Sequence, residues 1–298
     1  MKILKWAGIV IGVLIILLII FIAFIFISSN SKLDQIYTIT AGTISVPTDS
    51  ISIETGKHIA DTRGCTDCHG GNLGGTVFMD NPAMGKIVSP NLTAGKGGLG
   101  DNYSIEDWVK SIRHGINADG KGLLIMPAED YFYMSDEDLG DLIAYIKSVD
   151  KVDNVLPENS PGPITRMLLA TGGLQLAPDK INHEEERTEM PEKTVSVEYG
   201  KYLAYNCIGC HGRDFSGGPI PGGDPNWPPA ANITPDIQTG LGNWADADFI
   251  KAIRDGIRKD GTEIHPSMPR ALGNFTDDEL KAIWMYLNSV EPKNISYK

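Results

Sequence analysis

Two short motifs hold the residues best suited to chemistry. Cys65-Thr66-Asp67-Cys68-His69 and Cys207-Ile208-Gly209-Cys210-His211 each place two thiols at i and i+3 with an imidazole directly after the second. Thiols so spaced can add to the two vinyl groups along one porphyrin edge, and the adjacent histidine then reaches the iron; Cys-x-x-Cys-His is the attachment signature of c-type haem. A structural zinc site would need four ligands, often two cysteine pairs close in sequence, but these pairs stand 142 residues apart. A dithiol redox pair would not need a histidine after both copies. The motifs use all four cysteines, so none is left for a disulfide framework. The expectation is two covalently bound haem c groups, with His69 and His211 as iron ligands.

The other axial ligand is expected from methionine. Met126 follows His69 by 57 residues, Met268 follows His211 by 57, and each precedes a proline, Pro127 or Pro269. A thioether is a soft ligand that raises the reduction potential of a haem, and proline biases the residue before it to extended backbone, which helps a loop present it. The other methionines after Met1 are expected to fill cores or lie on the surface. His58, His114 and His265 do not repeat between the two halves and read as surface or loop residues, with His265 the alternative ligand. Arg113 and Arg254 do repeat; they either pair with haem propionates, since guanidinium binds carboxylates bidentately, or sit at helix C-termini with only a structural role. Asn91 and Asn232 repeat as well, either donating to propionates or fixing a turn.

These residues sit in a duplicated unit. Beyond the Cys-His motifs, Asn91-Leu92-Thr93 recurs as Asn232-Ile233-Thr234, Ile112-Arg113 as Ile253-Arg254, Met126-Pro127 as Met268-Pro269, and Asp136–Leu139 as Asp277–Leu280, always 141 or 142 residues on. The expected organisation is an anchor at 1–29, a polar spacer at 30–48, one domain at 49–151, a linker at 152–194 and a second domain at 195–298. Each domain reads as mainly helical. Leu139, Leu142, Ile143 and Ile146, like Leu280, Ile283, Trp284 and Leu287, fall on one helix face. Ser135-x-x-Asp138 and Thr276-x-x-Glu279 read as capping boxes, with Asp the weaker fit. Ile105, Trp108, Val109 and Ile112 mark an earlier helix, matched by Phe249, Ile250 and Ile253. Opening helices fall near Gly56 and Gly200, and the stretches 70–100 and 212–243 read as Gly- and Pro-rich loops around a large apolar ligand. In the linker, Met167-Leu168-Leu169 suggests a short helix packed between the domains.

Trp6–Ile27 is an uncharged run of 22 residues, about 33 Å as a helix, against a hydrocarbon core of about 30 Å. Lys2 and Lys5 before it favour a cytoplasmic N-terminus. A signal peptide has a shorter apolar region and a clearer cleavage site, so an uncleaved single-pass anchor in the cytoplasmic membrane is expected, with the domains on the periplasmic side. The net charge of -12 argues against a nucleic-acid partner and suits charge-guided docking to basic protein partners.

At these motifs the chain resembles class I cytochrome c domains over about 50–150 and 195–292. Gly56 and Gly200 match that family's small residue on the first helix, Tyr145 and Tyr286 the aromatic on the last. More narrowly, Asn232–Asp236, Thr239–Trp244, Ala252–Ile257, Asp260-Gly261 and Met268-Pro269 resemble the cytochrome c subunits of bacterial membrane-bound alcohol and gluconate dehydrogenases. The resemblance implies an all-α fold of two tandem domains behind one transmembrane helix. It also implies electron transfer between a dehydrogenase or quinol-oxidising complex and a terminal oxidase or other acceptor. Those subunits commonly carry three haems where this chain has two motifs. The first copy has nine positions from Gly56 to Cys65 and the second seven from Gly200 to Cys207, so the first helix of copy one is expected to be distorted. With both irons six-coordinate no open site remains for a substrate, and an enzyme is not expected. A dihaem peroxidase or a thiosulfate dehydrogenase, each needing an open iron position, is the alternative.

Overall fold

The computed structural model describes residues 2–187, 189–224 and 226–297. Met1 and Lys298, the outer bounds of the expected anchor and second domain, lie outside the described residues, as does the Lys2 side chain. The N-terminal helix α1 (Lys2–Leu33) is long and apolar enough to cross a membrane. Ile25 and Ser29, four apart and therefore on one face, are buried.

The first domain opens with α2 (Ser50–Thr62), capped by the Asp49 carboxylate accepting from the Ile51 and Ser52 amides. The helix stops at Arg63, and Gly64 turns the chain at a φ of +72° before the short α3 (Cys65–His69). The second domain has no such break: α8 (Val197–His211) runs through its motif unbroken. The two extra residues of copy one thus appear as a kink at Arg63-Gly64. The first domain continues with α4 (Ile105–His114), α5 (Ala128–Tyr131) and α6 (Asp136–Ser148); α9 (Asp246–Asp255) and α10 (Asp277–Ser289) complete the second.

In both domains the first helix crosses the last at a glycine. A Cβ on Gly56 would stand 1.9 Å from the Asp141 carbonyl oxygen, and one on Gly200 at 1.9 Å from that of Ala282. Only glycine lets the backbones approach this closely. Thr276 and Glu279 form the expected reciprocal capping box. At α6 only half of it forms: Ser135 accepts from the Asp138 amide, while the Asp138 carboxylate accepts from Tyr202 and Lys193.

Three expectations need correction. The stretch 70–100 is not all loop, because β1 (Thr76–Asn81) and β2 (Gly85–Ser89) form an antiparallel hairpin and β3 (Ser160–Pro161) adds to β2. The segment expected to be a polar spacer begins while α1 is still helical. It then lies along the first domain: the Tyr37 amide donates to the Gly120 carbonyl at 2.8 Å, and Ala41, Ile44 and Val46 pack on its core. The linker helix α7 (Pro163–Thr171) exists but packs against α1 rather than between the domains, with Arg166 donating to Ser29 and Asn30.

Candidate functional site

His69 and His211 are both buried, and both are held the same way. The Nδ1–H of His69 donates to the Pro90 carbonyl at 2.8 Å, that of His211 to the Ala231 carbonyl at 2.7 Å. A hydrogen bond at one ring nitrogen fixes the tautomer and leaves the Nε2 lone pair for a metal. Burial, against the pull of the carbonyls, lowers both imidazole pKa values and favours the neutral, ligating form.

The accepting carbonyls belong to the residues just before Asn91 and Asn232. Asn91 Oδ1 accepts from the Thr93 amide and hydroxyl, and its Nδ2 donates to the Val152 carbonyl. Asn232 repeats this with Thr234 and the Lys293 carbonyl. Each asparagine ties its turn to the segment that follows the last helix.

The arginines likewise serve helix starts. Arg113, fully buried, donates to the Met134 carbonyl at 2.8 Å and pairs with Asp136 at 2.6 Å; Arg254 donates to the Phe275 carbonyl at 3.0 Å and pairs with Asp277 at 2.6 Å. Both therefore grip the N-terminus of the last helix. Arg113 Nε remains buried without a hydrogen-bond partner.

Met126 and Cys65 both pack against the first core. Met268, half-buried, closes a turn in which its amide donates to the His265 carbonyl. His265 bonds Ser267 through Nδ1 at 2.9 Å. His114, expected at the surface, is buried with its Nδ1 2.9 Å from that of His183. His58 reaches Glu279 of the other domain at 2.9 Å.

That last contact belongs to a seam with approximate two-fold symmetry. His58 on α2 meets Glu279, the third residue of α10; Tyr202 on α8, at the position equivalent to His58, donates to Asp138, the third residue of α6, at 2.7 Å. Next to the motifs, Arg63 donates to Asn206, Tyr133 stacks on Tyr205 at 4.2 Å between ring centroids, and Asp130 lies against Gly209. The seam therefore joins the segments that flank the two Cys-His motifs.

A c-type haem fits this donor set. Burial pushes the Cys65 and Cys207 thiols up to about 12, the opposite of the lowered pKa that a reactive redox thiol needs. Among the described residues no group of three or more His, Cys, Asp or Glu could hold a metal ion, which leaves the zinc reading without ligands. In the first core, the Trp108 Nε1–H is buried without an acceptor, a state that costs about 1–3 kcal/mol. A bound group bearing carboxylates supplies an acceptor. Sequence reasoning used Trp108 only as a helix marker; the signal it missed was the ring's polar N–H on a buried face, which Phe249 lacks in copy two.

The cytochrome c family model matches residues 53–150 and 197–291. The chain belongs to the cytochrome c family, whose members carry covalently bound haem c. Its relatives include the fructose dehydrogenase cytochrome subunit of Gluconobacter japonicus, 31% identical over 81% of this chain and 53% of the relative. They also include the gluconate 2-dehydrogenase cytochrome c subunit of Pantoea cypripedii, 30% identical over 82% of this chain and 60% of the relative. The cytochrome c subunit of the quinone alcohol dehydrogenase of Gluconacetobacter polyoxogenes is 29% identical over 86% of this chain and 60% of the relative. The chain thus spans between half and three fifths of the length of these relatives.

Proposed function

We propose that this chain is a dihaem electron-transfer cytochrome, anchored by α1 in the cytoplasmic membrane with its domains on the periplasmic side. It relays electrons from a membrane-bound dehydrogenase or quinol-oxidising complex to a terminal acceptor. Cys65, Cys68, His69 and Met126 would hold one haem, and Cys207, Cys210, His211 and Met268 the other. When bound, each haem supplies a one-electron couple whose potential is raised by methionine ligation. The protein's part is to hold each imidazole through its Nδ1–carbonyl bond, to exclude water by burial, and to fix the two motifs relative to one another. The observation that carries the reading is the seam. It places Arg63 and Asn206, neighbours of the two motifs, in direct contact, and electron tunnelling falls off exponentially with distance.

The dehydrogenase partner rests on the relatives being dehydrogenase cytochrome subunits, and mild-detergent co-purification tests it. The haem reading is tested on the purified full chain. A pyridine haemochrome assay should return two haems per chain, and the ferric protein should show the far-red charge-transfer band of methionine-ligated iron. One haem per chain would refute the relay. A high-spin ferric iron that takes up cyanide quickly would favour a peroxidase-type enzyme instead.

A further inference from the structure

The linker helix α7 has one face too many for a helix that only joins two domains. Its Thr165 and Leu169 side is buried, with Thr165 donating to the Met84 carbonyl at 2.7 Å. Arg166 turns to α1, where its guanidinium bonds Ser29 at 3.0 Å and Asn30, and lies 4.9 Å over the Phe26 ring. A third face carries Ile164, Met167 and Leu168, at i, i+3 and i+4; Ile164 is 41% and Met167 37% exposed. Exposed apolar patches on soluble domains mark contacts with protein or membrane.

The contacts with α1 say which. The uncharged run ends at Ile27, and α7 is held at Phe26, Ser29 and Asn30, within about one turn of that end. The buried face of α1, Ile25 and Ser29, lies at the same level. A helix pinned at that height beside a transmembrane segment stands where hydrocarbon gives way to headgroups. An apolar stripe at this level suits partial burial in the interface.

We infer that α7 is an interfacial helix whose Ile164–Met167–Leu168 stripe lies in the phospholipid surface of the bilayer that α1 crosses, fixing the orientation of the first domain. This rests on the reading of α1 as an anchor, and the test separates the two. Nitroxide labels are placed singly on Met167→Cys, Ile16→Cys and Lys251→Cys in the full haem-loaded chain. The protein is reconstituted in phosphatidylcholine–phosphatidylglycerol vesicles, and collisions with oxygen and with a water-soluble nickel chelate are compared by power saturation. The label at 167 should be oxygen-dominated like that at 16, while the label at 251, exposed on the second domain, should be nickel-dominated. Nickel dominance at 167 with oxygen dominance at 16 would leave the anchor standing and overturn the interfacial helix. Low collision with both reagents at 167 would mean that protein covers the stripe, and would also overturn it. Nickel dominance at 16 would remove the anchor, and this inference with it.

Discussion

Asp130 offers a sharp test of the interdomain seam. Its Oδ1 is buried without a hydrogen-bond partner, and a Cβ on Gly209, inside the second motif, would stand 2.7 Å from its carboxylate. Burial first, then the neighbouring Glu129, push the Asp130 carboxyl from 3.8 up to about 7; Arg63, Lys180 and a hydrogen bond from the Gly209 amide oppose the rise without cancelling it. A carboxyl whose folded value is raised costs nothing below its unfolded value. It becomes a progressive liability as the pH climbs from about 4 to about 7, because only the unfolded chain ionises freely. The displacement amounts to on the order of 4 kcal/mol at and above neutral pH. Asp130→Asn removes the ionisation and nearly keeps the shape. Denaturant unfolding of the haem-loaded wild type and variant, from about pH 4.5 to about pH 8.5, gives the stability difference between them. Taking that difference cancels every other titrating group. It should move in favour of the variant as pH rises, by up to about 4 kcal/mol, and level off above neutrality. A difference that stays flat across the range would show that the carboxylate is already solvated, and that the seam is not closed over Gly209.

Gly200→Ala drives a Cβ into the Ala282 carbonyl and should cost at least about 2 kcal/mol in denaturant unfolding; an unchanged midpoint would mean that α8 and α10 do not cross there. The His58–Glu279 pair raises the His58 pKa and, against burial, lowers that of Glu279. Its contribution is therefore present below His58's unfolded value and is lost as pH rises through the higher folded one, and from the Glu279 side it is lost again in acid. A double-mutant cycle with His58→Ala and Glu279→Gln should give a coupling of about 1 kcal/mol near pH 6 and none near pH 9. Met268→Leu should lower the potential of the second domain alone in a redox titration; an unchanged potential would remove Met268 as ligand. Asn232→Ala frees the turn that presents the Ala231 carbonyl to His211, and should perturb the ligand-field spectrum of that haem while leaving the first domain's signals in place.

The parts of the fold that repeat were the legible parts. The paired motifs and the Thr276–Glu279 cap follow from residue type at fixed spacing, because local chemistry decides them; the glycine crossings, contacts between residues more than 80 apart, were expected only from the family resemblance. What could not be read locally was what each copy faces. His58 and Tyr202 break the repeat at equivalent positions, which reads as two dispensable residues, yet they are the two halves of the pseudo-symmetric seam. Asp138 departs from the capping box because Tyr202 of the second domain and Lys193 of the linker claim its carboxylate. His114 looked like a loop residue because its partner, His183, lies 69 residues away in the linker. Arg113 and Asn91 were recognised as repeating, but a repeat says only that the domain needs a residue, and the bonds they make are within the first domain and its flanking segment.

The loop after each histidine shows how one duplicated segment came to do different work. Asn91 follows His69 by 22 residues and Asn232 follows His211 by 21, so length does not distinguish the copies. Composition does. Thr76-Val77-Phe78-Met79 and Lys86-Ile87-Val88-Ser89 are rich in the β-branched and aromatic residues that suit strands, and they pair as β1 and β2. Copy two has Gly217-Gly218-Pro219-Ile220-Pro221-Gly222-Gly223 in the same stretch, where proline removes ladder donors; a single bridge between Gly218 and Ala230 forms there. The hairpin matters because β2 pairs with β3, and β3 leads directly into α7 and so to α1. The first domain is thereby braced against the N-terminal helix through its own sheet. The contacts described here hold the second domain chiefly through the seam. A change that loosens the seam should therefore free the second domain while leaving the first in place on α1.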